Sequence, residues 1–155
     1  MTIQVGDSLP DVTVKTWDDG PSNVSIGDLT AGKTAVIFGL PGAFTPTCHI
    51  KHLPGFVEHA VAIKAKGVDL IAVHSVNDPY VMNIWNQQQG SEEIFTLADW
   101  QAEFAKALGV EKDMSATGLG TRARRYALIV RNGEVTYVGV GDLDVSGAEA
   151  ILDAL

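Results

Sequence analysis

Two largely apolar runs, the continuous TAVIFGL at 34–40 and VDLIAVHSV at 68–76, most constrain what this chain can become. Both are short, rich in β-branched residues and largely free of polar alternation, as in strands covered on both faces. Segments of helical period alternate with these runs, the pattern of a sheet covered by helices. The intervening segment provides one: from Pro46 to about Lys66, apolar residues fall at 50, 53, 56, 57, 60, 61 and 63, a helical spacing. Pro54 is expected to kink or break this helix, because its ring crowds the preceding turn and it has no N–H to give.

The rest of the chain follows the same logic. DVTVKTW alternates and meets DDGPS, which predicts the first arm of an N-terminal hairpin. DPYVMNIWNQQQ reads as a helix with Asp78 as its cap and Pro79 in its first turn. IFTLAD reads as a short strand and WQAEFAKALGV as a third helix. RYALIVRNGEVTYVGV reads as a hairpin turning at Asn132-Gly133, a pair suited to a type I′ turn. VSGAEAILDAL closes the chain as a helix. The expectation is an α/β chain with a mixed sheet between helices, in one domain spanning 1–155, without internal repeat or linker.

Charge and cysteine content narrow the function classes. Eleven basic against nineteen acidic residues leave a net charge of −8, a field that repels phosphate backbones and anionic membranes. Nucleic acid and membrane are therefore not expected partners. The start MTIQVGDSLPDV has neither a basic segment nor a long apolar one, so a cytoplasmic location is expected. The only cysteine, Cys48, has no intrachain partner and begins as a free thiol.

Cys48 sits in PGAFTPTCHIKHLPGF, residues 41–56. Thr45-Pro46 is a helix-start signal, with threonine as cap and proline at the first helical position. Thr47 is then second and Cys48 third, at the positive end of the helix dipole among N–H groups without helical partners. Such a setting favours thiolate over thiol. The plain alternative is a small buried hydrophobe, as free cysteines often are.

The stretch resembles a known family. Pro41, Thr45 and Cys48 reproduce the P-x-x-x-T-x-x-C signature of the peroxiredoxins, and PGAFTPTC with KHLPGF is similar to their type II, or atypical, branch. The similarity continues through SVNDPYVMNIW, GLGTRARRYALIV and SGAEAIL, nearly the full chain. The resemblance implies a thioredoxin-like three-layer sandwich that reduces hydrogen peroxide or alkyl hydroperoxides with no metal or other cofactor. It assigns Cys48 as peroxidatic nucleophile, Thr45 as the hydroxyl contacting sulfur and peroxide, and Pro41 as the cover over the sulfur. Arg125 matches the family's arginine. Gly42, Phe44, Thr47, His52 and Leu119 belong to the substrate-binding surroundings. Strand alternation would put Arg122 and Arg124 on one side and Arg125 on the other; Arg122 and Arg124 are read as a solvated basic patch.

His52, one turn after Cys48, could donate to the thiolate, ligate a metal or brace the kink. His49 and His59 are expected to be exposed, and His74 to be structural, with a supporting role at the sheet edge left open. Attack on peroxide leaves a sulfenic acid that a second thiol must reduce. Since no other cysteine exists, that thiol comes from outside, and glutathione with glutaredoxin, or thioredoxin, are the candidate reductants. The resemblance also implies a homodimer, with Phe44 and Trp85 as possible apolar contributors. Two rival readings share the site: a peroxide sensor that relays oxidation to a partner protein, and a metal-binding module built from Cys48, His52 and a third ligand such as His74.

Overall fold

The computed structural model describes all 155 residues. Its central sheet has seven strands in the order β2-β1-β5-β4-β3-β8-β9: β1 Thr13–Trp17, β2 Pro21–Ser25, β3 Thr34–Leu40, β4 Leu70–Ser75, β5 Phe95–Ala98, β8 Tyr126–Arg131 and β9 Glu134–Val140. The three central strands β3, β4 and β5 run parallel, and the flanking pairs are antiparallel, so the sheet is mixed as expected. A separate two-stranded ribbon, β6 Glu111–Asp113 with β7 Thr121–Ala123, is too short and polar to register in the sequence pattern.

The apolar runs are buried on alternate faces, as an unbroken hydrophobic strand requires. Val36, Phe38 and Leu40 of β3 join one core with Ile71 and Val73 of β4 and Ala127 and Ile129 of β8. Ile37, Ala72 and Leu128 from the same strands enter the other. Helices α2 Leu53–Ala65, α3 Pro79–Gln88 and α6 Ala148–Ala154 contribute Phe56, Ile63, Met82, Trp85 and Ile151 to the first core. The short helices α1 Ile26–Thr30 and α4 Glu103–Leu108 contribute Ile26, Phe104 and Leu108 to the second. This is the three-layer arrangement of the thioredoxin-like fold. No helix is long and apolar enough to cross a membrane.

Several expected boundaries hold on their stated chemistry. Asp78 accepts the Val81 N–H at 2.9 Å with Pro79 opening α3, and Asn132 (φ 48°) and Gly133 (φ 82°) take the left-handed pair of a type I′ turn. Others do not. The third helix begins at Glu103, not Trp100, because the Asp99 carboxylate accepts the Phe104 and Ala105 N–H groups at 3.2 and 2.9 Å and Ala102 turns left-handed. The closing helix is two: α5 Leu143–Ser146 and α6 are separated by Gly147, which is extended (φ −82°, ψ 172°).

Candidate active site

The chain leaves the carboxyl end of β3 at Leu40 and turns through Pro41–Thr45 into a helix that starts at Pro46. Thr45 serves as cap through its backbone, its carbonyl accepting the His49 N–H at 2.9 Å. Its hydroxyl does not cap; it donates to the Gly42 carbonyl at 2.6 Å. With that proton committed, the hydroxyl meets an incoming molecule as an acceptor. Phe44 adopts φ 64° at the tip of the turn, a conformation uncommon for an aromatic residue.

Residues Cys48–His52 form one π turn, not an α-helical one. The Leu53 N–H reaches back five residues to the Cys48 carbonyl, and Pro54 has no N–H with which to occupy the His49 carbonyl. The Gln89 amide, from just beyond α3, donates to that freed carbonyl at 3.2 Å. The expected kink at Pro54 is thus a widened turn that begins at the cysteine, a form frequent at functional sites.

This turn points Cys48 and His52 inward, 1% exposed each, toward Arg125, which lies where the chain passes from β7 to β8. Arg125 Nη2 donates to Cys48 Sγ at 3.2 Å, and Nη1 lies 2.8 Å from His52 Nδ1. His52 Nε2 is 2.8 Å from the Ser146 carbonyl. A carbonyl only accepts, so Nε2 carries the proton and Nδ1 accepts from Arg125. Burial, joined by the nearby Arg125 charge and only partly opposed by the Ser146 carbonyl, holds the His52 pKa down to about 3. His52 therefore touches the guanidinium as a neutral acceptor, not the sulfur as a donor.

The other arginines depart from the expected solvated patch. Arg122 is partly buried; its Nε donates to the Leu119 carbonyl at 2.9 Å and its Nη1 to the Pro41 carbonyl at 3.2 Å. A Cβ on Gly42 would lie 2.7 Å from Arg122 Nη1, so the glycine makes room for this clasp. Arg124 turns away to the Gly109 carbonyl (3.0 Å) and Thr2 Oγ1 (3.3 Å). Strict alternation fails because β7 ends at Ala123 and the backbone bends at Arg125.

The histidines also sort differently. His49 is half-buried, not exposed: Trp85 Nε1 donates to its Nδ1 at 2.9 Å, the Gln89 amide lies 2.8 Å from the same atom, and Phe44 stacks on its ring at 5.7 Å. His59 is half-buried, with Nδ1 2.9 Å from the Gly55 carbonyl. His74 is fully buried on the face opposite Cys48, between Tyr126 Oη (2.7 Å) and Asp99 Oδ2 (2.8 Å). Its structural role follows, and Cys48, His52 and His74 do not converge on a common point. Trp85 is fully buried and has no area to offer a partner, whereas Phe44 is 47% exposed. Thr47 is exposed at the rim.

The site thus gathers Pro41, Gly42, Thr45, Cys48, His52, Leu119, Arg122 and Arg125 at the carboxyl end of the central strands, where α/β sheets place their ligands. The clasp by Arg122 and the His49–Trp85–Gln89 lock escape the sequence pattern, since both depend on partners 36 to 81 positions away.

Residues 4–152 match the Redoxin family model. The chain is 48% identical to rice Peroxiredoxin-2C over 160 residues, covering 99% of this chain and 98% of that one. It is also 48% identical to rice chloroplastic Peroxiredoxin-2E-2 over 164 residues, covering 99% of this chain and 73% of that one. Among solved structures, reduced Prx3 of Vibrio vulnificus in complex with hydrogen peroxide superposes with a TM-score of 0.95 at 47% identity, covering 99% and 96% of the two chains.

Proposed function

The chain belongs to the redoxin family, as a type II peroxiredoxin and hence a thiol peroxidase, and from that premise we propose that it reduces hydrogen peroxide and alkyl hydroperoxides through Cys48 alone, with an external thiol closing the cycle. One observation carries the reading: the only sulfur nucleophile of the chain lies buried under a guanidinium donor, Arg125 Nη2 at 3.2 Å.

The chemistry follows from that placement. The thiolate attacks one peroxide oxygen, an S–O bond forms as the O–O bond breaks, and the electron pair leaves on the distal oxygen, which takes a proton to become water or alcohol. Charge passes from sulfur to the departing oxygen, so a fixed cation beside both gains strength as the reaction proceeds. Arg125 keeps its charge throughout. Thr45 Oγ1 accepts the peroxide O–H and orients it, while Pro41 and the turn behind it keep bulk water from the sulfur. Neutral His52 holds the guanidinium in place without competing for the proton.

The product is a sulfenic acid on Cys48. A second thiol from outside displaces water from it, and a further thiol releases the enzyme; glutathione with glutaredoxin and thioredoxin are the two reductants to compare. We place the enzyme in the cytoplasm as a homodimer, with exposed Phe44 at the contact. The decisive experiment measures sustained peroxide consumption by the natural protein and Cys48→Ser with each reducing system in excess. The serine variant is expected to be inactive with both; consumption at the natural rate would overturn the proposal.

A further inference from the structure

A cleft of about 310 Å³ shares Pro41 and Arg125 with the peroxide site but is not lined by Cys48 or Thr45. Its walls include Lys112, Arg124, Arg125, Val140, Gly141 and Asp142. Three cations face one carboxylate in a molecule of net charge −8. None of the three cations has a carboxylate within 4.0 Å; the sole such pair in the chain is His74 with Asp99. Lys112 is exposed and makes no side-chain hydrogen bond, and the Arg124 Nη1 and Nε donors are uncommitted. A concentration of positive charge without carboxylate partners in an acidic protein focuses anions at that point.

We propose that this cleft is the subsite for the carboxylate of a small hydrophilic thiol, the reductant of oxidised Cys48. The inference rests on the single-cysteine peroxidase reading and adds where the reductant docks and what it must carry. Arg125 links the cleft to the reaction, since it lines one wall and holds the sulfur at 3.2 Å. Arginine and lysine are suited to a carboxylate, the former in a forked geometry. The volume fits a molecule of short-peptide size. The walls offer only Pro41 and Val140 as apolar side chains, too little to seat the acyl chain of a lipid hydroperoxide. Docked there, the thiol attacks the sulfenic sulfur: an S–S bond forms, the S–O bond breaks, and hydroxide leaves with the thiol's proton as water. A second thiol then attacks the mixed disulfide, returning reduced Cys48 and releasing the disulfide of the reductant; two thiols are oxidised as one sulfenic acid is reduced.

The test oxidises the protein with one equivalent of hydrogen peroxide and follows its single-turnover reduction by glutathione, which carries carboxylates, and by neutral 2-mercaptoethanol. The ratio of the two rates is the readout, because it cancels general changes in the reactivity of Cys48. Lys112→Gln and Arg124→Gln are each expected to lower this ratio roughly threefold and Lys112→Glu roughly tenfold, while Lys64→Gln on the exposed face of α2 leaves it unchanged. The Lys112 side chain is exposed and makes no hydrogen bond or ion pair, so its variants keep the test valid should Arg124→Gln fold poorly. Added salt is expected to lower the glutathione rate and not the neutral one. A ratio indifferent to Lys112 and to salt overturns the subsite. So does a loss of selectivity confined to the oxidation step, seen as slower reaction with a fatty-acid hydroperoxide relative to tert-butyl hydroperoxide, which would give the cleft to the substrate. Failure of the parent reading has a different signature, peroxide consumption by Cys48→Ser.

Discussion

At the scale of single residues, the chemistry proposed above rests on a chain of three side chains in contact, Cys48, Arg125 and His52. His52 accepts from Arg125 at Nδ1 and donates from Nε2 to Ser146. Its pKa, near 6.5 when unfolded and about 3 in the fold, means that the unfolded chain binds more protons between those values. Stability is then intact above about pH 6.5 and is lost as pH falls toward 3, approaching about 1.4 kcal/mol per pH unit. At pH 5 the natural protein should have lost about 2 kcal/mol through this group. Urea unfolding of natural protein and His52→Asn at pH 7 and pH 5 checks this: the variant should lack that share of the loss, and parallel losses would disprove it. A second prediction concerns the arginines. Arg125→Ala should slow the oxidation step by orders of magnitude, and Arg122→Ala by roughly tenfold, about 1.4 kcal/mol, because it frees the Pro41 carbonyl; stopped-flow oxidation of Cys48 measures both. Pro41, Thr45 and Cys48 were legible because the motif names them, and Arg125 only through the family resemblance around GTRARRYAL. Arg122 was not, because the alternation that sorted it toward solvent ends where β7 ends, one residue after it.

At the scale of elements, the site is set by two interruptions. The π turn Cys48–His52 aims both side chains inward, and its freed His49 carbonyl is taken up by Gln89. A proline at 54 announced a disturbance, but which carbonyl it would orphan and what would claim it depend on where α3 ends. The second interruption is Gly147, which separates α5 from α6 and leaves the Ser146 carbonyl to hold His52. The sequence pattern runs through it as a single helix, since glycine inside a helix is tolerated; here a Cβ would lie 2.7 Å from the Leu143 carbonyl oxygen. Gly147→Ala should therefore destabilise the fold by roughly 1–3 kcal/mol. It should also slow Cys48 oxidation, because Ser146 must shift and His52 with it. Thermal unfolding and stopped-flow kinetics on the same variant test the pair; lower stability with an unchanged rate would sever the link between α5 and the site.

At the scale of the whole molecule, the sheet divides labour between its faces. Strands β3, β4 and β8 send alternate side chains to two cores, and Cys48 belongs to one while the Tyr126–His74–Asp99 network stiffens the other. On the face opposite Cys48, a Cβ at Gly39 would collide with the Tyr126 ring, so the glycine directly before Leu40 and Pro41 lets that ring lie across the strand end that leads into the active-site turn. This division was legible in outline, because unbroken apolar strands require cover on both faces; which face each polar residue joins was not, since it turns on register between strands far apart in sequence. The arrangement leaves the tip of the turn outside both cores. Phe44 stands 47% exposed beside His49 while the neighbouring Trp85 is wholly buried, so the turn presents one large aromatic outward. Copies of a molecule of net charge −8 repel one another, so the homodimer proposed above relies on apolar contact, and its proposed place is Phe44. Phe44→Glu places a further negative charge at that contact and should shift the protein toward monomer in sedimentation velocity at micromolar concentration. Raising the salt should partly restore the dimer by screening the added charge. A natural protein that sediments as a monomer, or a variant that sediments as the natural dimer does, would move the interface away from the active-site turn.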